Sequence, residues 1–154
     1  MALSNSEKAQ IRDAESADMP SLIEMGRAFW ATIPHFDAPY DDESAEKTFQ
    51  MTMDQGLLLV LTIDGQPKGV IGGLMSPMIV NYGVVMGNEL IFWIEPECRG
   101  HGRMLLGAME RQAAAAGITY WIMTAFDSMP EPARSIYRAM GYGPTEISFV
   151  KRLN

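Results

Sequence analysis

Residues 89–106 read Glu89-Leu90-Ile91-Phe92-Trp93-Ile94-Glu95-Pro96-Glu97-Cys98-Arg99-Gly100-His101-Gly102-Arg103-Met104-Leu105-Leu106. An apolar strand over 89–94 is halted by Pro96, passes into a turn with two glycines, and the turn opens an amphipathic helix. At such a junction the first backbone N–H groups of the helix have no partner inside it and point outward together. The helix dipole adds partial positive charge at the same place, so the junction is an anion site. Gly100 and Gly102 let the backbone approach a phosphate or take positive φ, and Arg99 and Arg103 supply cationic partners. No third glycine follows Gly102 as in a dinucleotide fingerprint, and no Gly-Lys-Ser/Thr end marks an NTPase loop. Taken alone, the stretch also fits a tight turn that binds nothing.

Downstream, Leu105, Met109, Ala113 and Ala116 recur on one face of a helix over 102–116, which Gly117 stops. A strand is expected over 118–125. Ser128-Met129-Pro130-Glu131 fits a capping box for a short helix through Ala133, Ile136, Tyr137 and Met140, ending at Gly141. Alternation over 145–151 predicts a last strand.

Upstream, a frayed start over 1–9 leads into a short strand at Ile11-Arg12-Asp13-Ala14. Asp18 is the expected N-cap of a first helix carrying Leu22, Met25 and Phe29, with Pro20 in its first turn. Residues 33–40, with two prolines, form a loop. Asp41-Asp42-Glu43-Ser44 opens a second helix with Ala45, Phe49 and Met53 on one face, ended by Gly56. A strand over 57–63, the turn Asp64-Gly65 and a return strand over 68–75 make a hairpin. Gly72-Gly73 inside the return strand signals a bulge or a close backbone approach. Residues 76–87 fit either an extended hairpin or a loop. The order β-α-α-β-β-β-α-β-α-β in 154 residues is a single α+β domain with a mixed, mostly antiparallel sheet flanked by helices.

Composition sets the class. Charged residues are 20% and hydrophobic ones 47% of the chain, the balance of a soluble globular protein. No apolar run approaches the roughly 20 residues that span a bilayer, and the polar N-terminus lacks the basic start and apolar stretch of a signal peptide. With one cysteine, Cys98, no internal disulfide can form, so a reducing cytoplasm is the expected compartment. A net charge of −7 spread along the chain argues against nucleic acid, which needs a basic face. It favours approach of a cationic small molecule or basic peptide, or serves solubility alone. The 13 methionines read as adaptable core packing. The two histidines, His35 and His101, are far apart, and no Cys/His/Asp spacing suggests a metal site.

The run Arg99-Gly100-His101-Gly102-Arg103-Met104 resembles the pyrophosphate loop of the GNAT (Gcn5-related N-acetyltransferase) superfamily, whose pattern is Arg/Gln-x-x-Gly-x-Gly/Ala. The order of elements over the whole chain is similar too, and 89–100 looks most like phage- and prophage-encoded versions. A second motif, Ser135-Ile136-Tyr137-Arg138-Ala139-Met140-Gly141-Tyr142 with Ala133 in register, resembles the family's late Ala-x-x-Leu-Tyr-x-x-x-Gly-Phe/Tyr.

The resemblance implies transfer of an acetyl group from acetyl-CoA, or another acyl group from its CoA ester, to an amine in a ternary complex without a metal. It implies a splay between the two middle strands, so that the backbone of Phe92, Trp93 and Ile94 is free for the pantetheine and an amide is free to polarise the thioester. The pyrophosphate is then expected on 99–104. Tyr137 becomes the acid that protonates the departing thiolate, against the plainer reading of a packing residue. Glu89 becomes the general base, often through water, against that of a carboxylate at a strand start beside solvent. Met104 stands where the family has glycine or alanine. Pro130 replaces an asparagine whose pantetheine contact Asp127 or Ser128 is expected to supply. These two departures favour a rival reading, a GNAT-shaped binding or regulatory protein with little or no CoA affinity. The acceptor is expected to enter by the first two helices and the 33–40 loop, with Phe29, His35 and Phe36 as candidate contacts. Small-molecule and protein amines are both open as acceptors, and dimers are common in the family, which makes a homodimer one expected assembly. Cys98 reads as inert, since no adjacent base is evident.

Overall fold

The computed structural model describes residues 8–154. Its strands are β1 (Ala9–Asp13), β2 (Gly56–Ile63), β3 (Gln66–Met78), β4 (Asn81–Ile94) and β5 (Tyr120–Ile122). Its helices are α1 (Met19–Trp30), α2 (Asp42–Gln55), α3 (Gly102–Ala115) and α4 (Glu131–Ala139). The sheet runs β1-β2-β3-β4-β5, antiparallel at its first three junctions and parallel between β4 and β5. The expected frayed start lies, for residues 1–7, outside the described residues; Ala9 already belongs to β1.

Both faces of the sheet are covered, which is why β2 reads as an unbroken apolar run rather than an alternation. Leu58 and Val60 face α1 and α2, where they pack with Leu22, Met25, Phe49, Val70 and Ile91. Leu59, Leu61 and Ile63 face α3, where Leu105, Leu106 and Met109 complete a second core with Ile71 and Ile94. Leu22, Leu61, Leu105 and Leu106 are fully buried, each contributing about 2 kcal/mol relative to exposure.

The β2–β3 turn has both central residues at positive φ, Asp64 at 50° and Gly65 at 82°, the geometry of a type I′ hairpin turn. Residues 76–87 extend the β3–β4 hairpin; the loop alternative falls away, with Ser76 opposite Met86 and Pro77 opposite Val85. Asp41 caps α2, its carboxylate accepting from the Ser44 N–H at 2.8 Å.

Asp18, expected as the cap of α1, does something else. Residues 16–18 form a 3-10 turn, so Asp18 already has helical backbone, and its side chain belongs to the capping box of that turn and makes no cap hydrogen bond to α1. The buried carboxylate instead accepts from both terminal nitrogens of Arg12, at 2.7 and 2.9 Å, and from the Glu15 N–H at 2.8 Å. This ties α1 to β1. The Arg12 hydrogen bonds hold its pKa below the ordinary 3.8. A depressed pKa contributes stability present above the unfolded value and lost as pH falls through the folded one. Asp18→Asn is therefore expected to cost about 2 kcal/mol at neutral pH, with the gap to wild type closing below about pH 4. Urea melts at pH 7 and pH 3 check this.

Two sequence expectations fail near the C-terminus. The strand over 118–125 forms only at 120–122, and the last strand over 145–151 does not form. A period-two pattern makes a strand only where an edge can pair with it, and β5 is too short to offer one. Ile147 and Phe149 stay 82% and 95% exposed, and Arg152 bonds Asp37 in the α1–α2 connection at 2.8 Å.

Candidate active site

The site begins with an irregularity. Along β3 and β4, Gly72 lies opposite Ile91 but Gly73 lies opposite Glu89, so Leu90 is an extra residue on β4. A one-residue bulge reverses which face the following side chains take. Without it Glu89 would share the face of Ile91 and Trp93, against α1 and α2. With it Glu89 turns to the α4 side, where its Oε2 accepts from the Thr124 N–H at 3.0 Å. Tyr137, on α4, donates its hydroxyl to the Thr124 carbonyl at 3.4 Å. Both side chains are thus gathered at one residue just past β5.

Their electrostatics follow from burial. Glu89 is only 9% exposed, and loss of solvent raises its pKa to about 7 although the Thr124 N–H stabilises the charged form. Tyr137 is pushed well above the ordinary phenol range, first by burial and then by the neighbouring Glu89 charge. At neutral pH the pair therefore offers a carboxyl poised between its two forms and a phenol that keeps its proton. The Tyr137 ring is held between Phe92 at 6.4 Å and Tyr142 at 6.0 Å. Glu89, Phe92, Thr124 and Tyr137 line a common cavity of about 200 Å³.

Beside this cavity the sheet opens. β4 and β5 pair only at Met86–Tyr120, Gly87–Trp121 and Asn88–Ile122. Past Asn88 the edge of β4 turned away from β3 has no strand alongside it among the described residues, the splay the resemblance implied. Of the three residues expected to bind there, Ile94 is committed to the α3 core, Phe92 packs against that core, and Trp93 packs on the other face. What they offer at the open edge is backbone. The Trp93 Nε1 is buried without a hydrogen-bond partner among the described residues, and the Arg99 guanidinium lies 5.2 Å from its ring centroid.

β4 leads into a 3-10 turn over Pro96–His101 and then α3, whose start carries no side-chain cap. His101 Nδ1–H donates to the Cys98 carbonyl at 2.9 Å, and neither Arg99 nor Arg103 forms an ion pair among the described residues. The Gly102 N–H, at the start of α3, donates back to the Arg99 carbonyl, so what this turn presents to solvent is chiefly the positive end of the helix and the exposed Arg99 and Arg103 side chains. Of the two uses open to Gly100 and Gly102, close approach to a phosphate or positive φ, neither glycine takes the second. A Cβ at Gly102 would come within 3.2 Å of Ile136 Cδ1, a tight contact with the end of a side chain, while one at Gly100 would meet nothing within 4 Å. Met104 lines a groove of about 510 Å³ between β1 and α3, with Arg12 and Arg111.

The remaining candidates sit at the cavity's rim. Phe29 lines it. His35 Nε2 meets the Asp127 carboxylate, its ring stacks on Phe126, and Phe36 stacks on Trp30. The Ser128 hydroxyl donates to the Thr32 carbonyl at 3.3 Å. Asp127 and Ser128 thus bridge to the α1–α2 connection, and the expected Ser128 capping box is absent: α4 starts at Glu131, its N-cap is Pro130, and no side chain caps it. Thr124 was missed by sequence reasoning because the N–H and carbonyl that link Glu89 to Tyr137 are backbone, which residue type does not reveal; its side chain also stabilises the Glu89 carboxylate. Trp30, Leu90, Phe126 and Met129 also line the cavity.

The sequence matches the model of the acetyltransferase (GNAT) family over residues 19–142. No curated protein shows a significant sequence match. Among solved structures, the chain resembles an aminoglycoside N-acetyltransferase AAC(6')-Iy in complex with CoA (TM-score 0.75, 16% identity, 99% of each chain covered). It also resembles a ribosomal-protein-alanine N-acetyltransferase from Brucella melitensis biovar Abortus 2308 (TM-score 0.75, 19% identity, 96% of this chain and 100% of the other). A third is glucosamine-6-phosphate N-acetyltransferase from Arabidopsis thaliana (TM-score 0.72, 15% identity, 96% and 100%). At these identities the likeness is one of fold.

Proposed function

Because the chain belongs to the acetyltransferase (GNAT) family, we propose that it transfers the acetyl group of acetyl-CoA to a primary amine, with Glu89 as general base and Tyr137 as general acid. The observation that carries this is the convergence of both side chains on Thr124, at a cavity that opens on the β4–β5 gap. The residues fit the co-substrate: an uncapped helix start flanked by Arg99 and Arg103 suits a pyrophosphate, and an unpaired strand edge at 92–94 suits an amide-bearing arm. Met104, directed to the β1–α3 groove, leaves that helix start open.

The bound thioester would supply the acyl group and a thiolate leaving group. Glu89, ionised above about pH 7, takes the proton an ammonium or attacking amine must lose, directly or through a water. Tyr137 gives its phenolic proton to the sulfur. The backbone N–H groups along the open edge of β4 polarise the carbonyl, and holding both partners in one cavity replaces a bimolecular encounter. No helix among the described residues is long and apolar enough to cross a membrane. A soluble amine is the acceptor this reading needs, and aminoglycosides are acceptors named for one of the structural neighbours.

The competing reading, a GNAT-shaped protein without CoA affinity, is separated by thermal melting with millimolar acetyl-CoA. Binding at micromolar affinity is expected to stabilise the fold by about 4 kcal/mol, or about 10 °C. An unchanged midpoint would leave the binding-protein reading in possession.

A further inference from the structure

We propose that the acceptor is a small primary monoamine carried on an apolar, uncharged body, aryl or branched alkyl, with that body lodged beside Glu89 among the side chains that end α1 and follow β5. The inference rests on the transferase reading above and adds the substrate class.

The cavity that holds Glu89 and Tyr137 is about 200 Å³, room for on the order of ten non-hydrogen atoms when a water takes about 30 Å³. Apart from Glu89, Tyr137 and Thr124 its lining is apolar or aromatic: Phe29 and Trp30 from the end of α1, Ile33 just past it, Leu90 and Phe92 from β4, and Phe126 and Met129 from the segment after β5. The one polar atom of Trp30 is occupied elsewhere, its Nε1–H donating to the Ala38 carbonyl at 3.0 Å, so the indole gives the cavity only carbon.

The polar groups at the rim bond mostly to one another, and although His35 Nδ1 and Arg134 Nε are buried without a partner among the described residues, neither residue lines the cavity. Asp127 is engaged by His35, Ser128 by the Thr32 carbonyl, and Arg134 by the carbonyls of Phe126 and Asp127 at 2.9 and 2.7 Å. Among the lining residues a second ammonium would therefore meet no carboxylate but Glu89, and a ring of hydroxyls would meet mostly carbon; an unpartnered polar group resists burial far more than a methylene gains by it. The single carboxylate in the cavity serves the reacting nitrogen alone. The chain's net charge of −7 draws cations toward the protein, but inside this cavity nothing holds a second one.

The test is a comparison of kcat/KM at fixed acetyl-CoA for 2-phenylethylamine and 3-methylbutylamine against putrescine and glucosamine, read as free thiol released. A preference of at least about 10²-fold for the first pair is expected. Binding of 2-phenylethylamine without acetyl-CoA, read as a change in tryptophan fluorescence, is the expected companion result. Met129→Glu, which puts a second carboxylate into the lining, is expected to move the ratio at least about tenfold toward putrescine. If that variant does not fold, the wild-type panel still decides. Equal rates, or a preference for putrescine or glucosamine, overturn this inference and leave the transferase reading intact. Transfer to none of the four amines, with thermal stabilisation by acetyl-CoA retained, overturns this inference alone; loss of that stabilisation overturns the transferase reading with it.

Discussion

Glu89→Gln is expected to lower kcat/KM for amine acetylation by about 10³-fold while making the protein more stable in alkaline solution. The first effect is the loss of a general base, which typically contributes 10²- to 10⁴-fold. Glutamine keeps the shape and can still accept from the Thr124 N–H, so the loss isolates proton transfer from packing. Wild-type kcat/KM is expected to rise through about pH 7, where burial places the Glu89 pKa, and the variant's profile to lack that inflection.

The second effect has the opposite sign to most active-site losses. Glu89 has a folded pKa raised above the ordinary 4.5 to about 7, so the native state binds a proton more tightly than the unfolded chain. Its contribution is fully present below about pH 4.5 and is lost as pH rises through 7. The variant never carries the buried charge. It is expected to match wild type near pH 4.5 and to exceed it by about 3 kcal/mol at pH 9. Denaturant melts at the two pH values check this. A variant less stable than wild type at pH 9 would mean that the carboxylate is charged and well satisfied in the fold, which removes the reason for treating it as a poised base.

Why Glu89 occupies that position was only half legible in the sequence. The Gly72-Gly73 pair signalled a bulge or a close approach, and both occur, but the extra residue sits on the facing strand at Leu90. Nothing in the composition of 89–94 marks which residue is skipped. The strand–turn–helix at 89–106 and the Tyr137 helix could be read because each rests on local chemistry: proline and glycine punctuation and helical spacing. The meeting of Glu89 with Tyr137 depends on Thr124, whose bridging N–H and carbonyl are common to every residue type, although its side chain adds a bond to Glu89. Asp18 shows the same limit. Its residue type fits a cap, yet Arg12, six positions away on another element, competes for the carboxylate and wins with two charge-assisted bonds. The alternation over 145–151 was a sound local pattern for which the fold supplies no edge. Local preference is visible in a sequence; the partner that overrides it is not.

The bulge itself can be tested at Gly73. A Cβ built there would lie 2.2 Å from the Asn88 carbonyl oxygen and 2.8 Å from its carbon, with Trp121 at 2.9 Å. Two of the three obstacles are backbone, so no rotamer change relieves them, and β3 must move away from β4 over the bulge that aims Glu89. Gly73→Ala is therefore expected to cost about 4 kcal/mol, at the upper end for a single substitution, and to lower activity further in whatever fraction remains folded. Gly100→Ala supplies the contrast. The same added methyl meets nothing within 4 Å and the backbone there has ordinary φ, so its stability is expected to stay within about 0.5 kcal/mol of wild type. Urea melts of both variants decide the matter. If Gly73→Ala melts within about 1 kcal/mol of wild type, the close approach of β3 to Asn88 does not constrain the sheet, and the account of how Glu89 is turned toward Tyr137 fails with it.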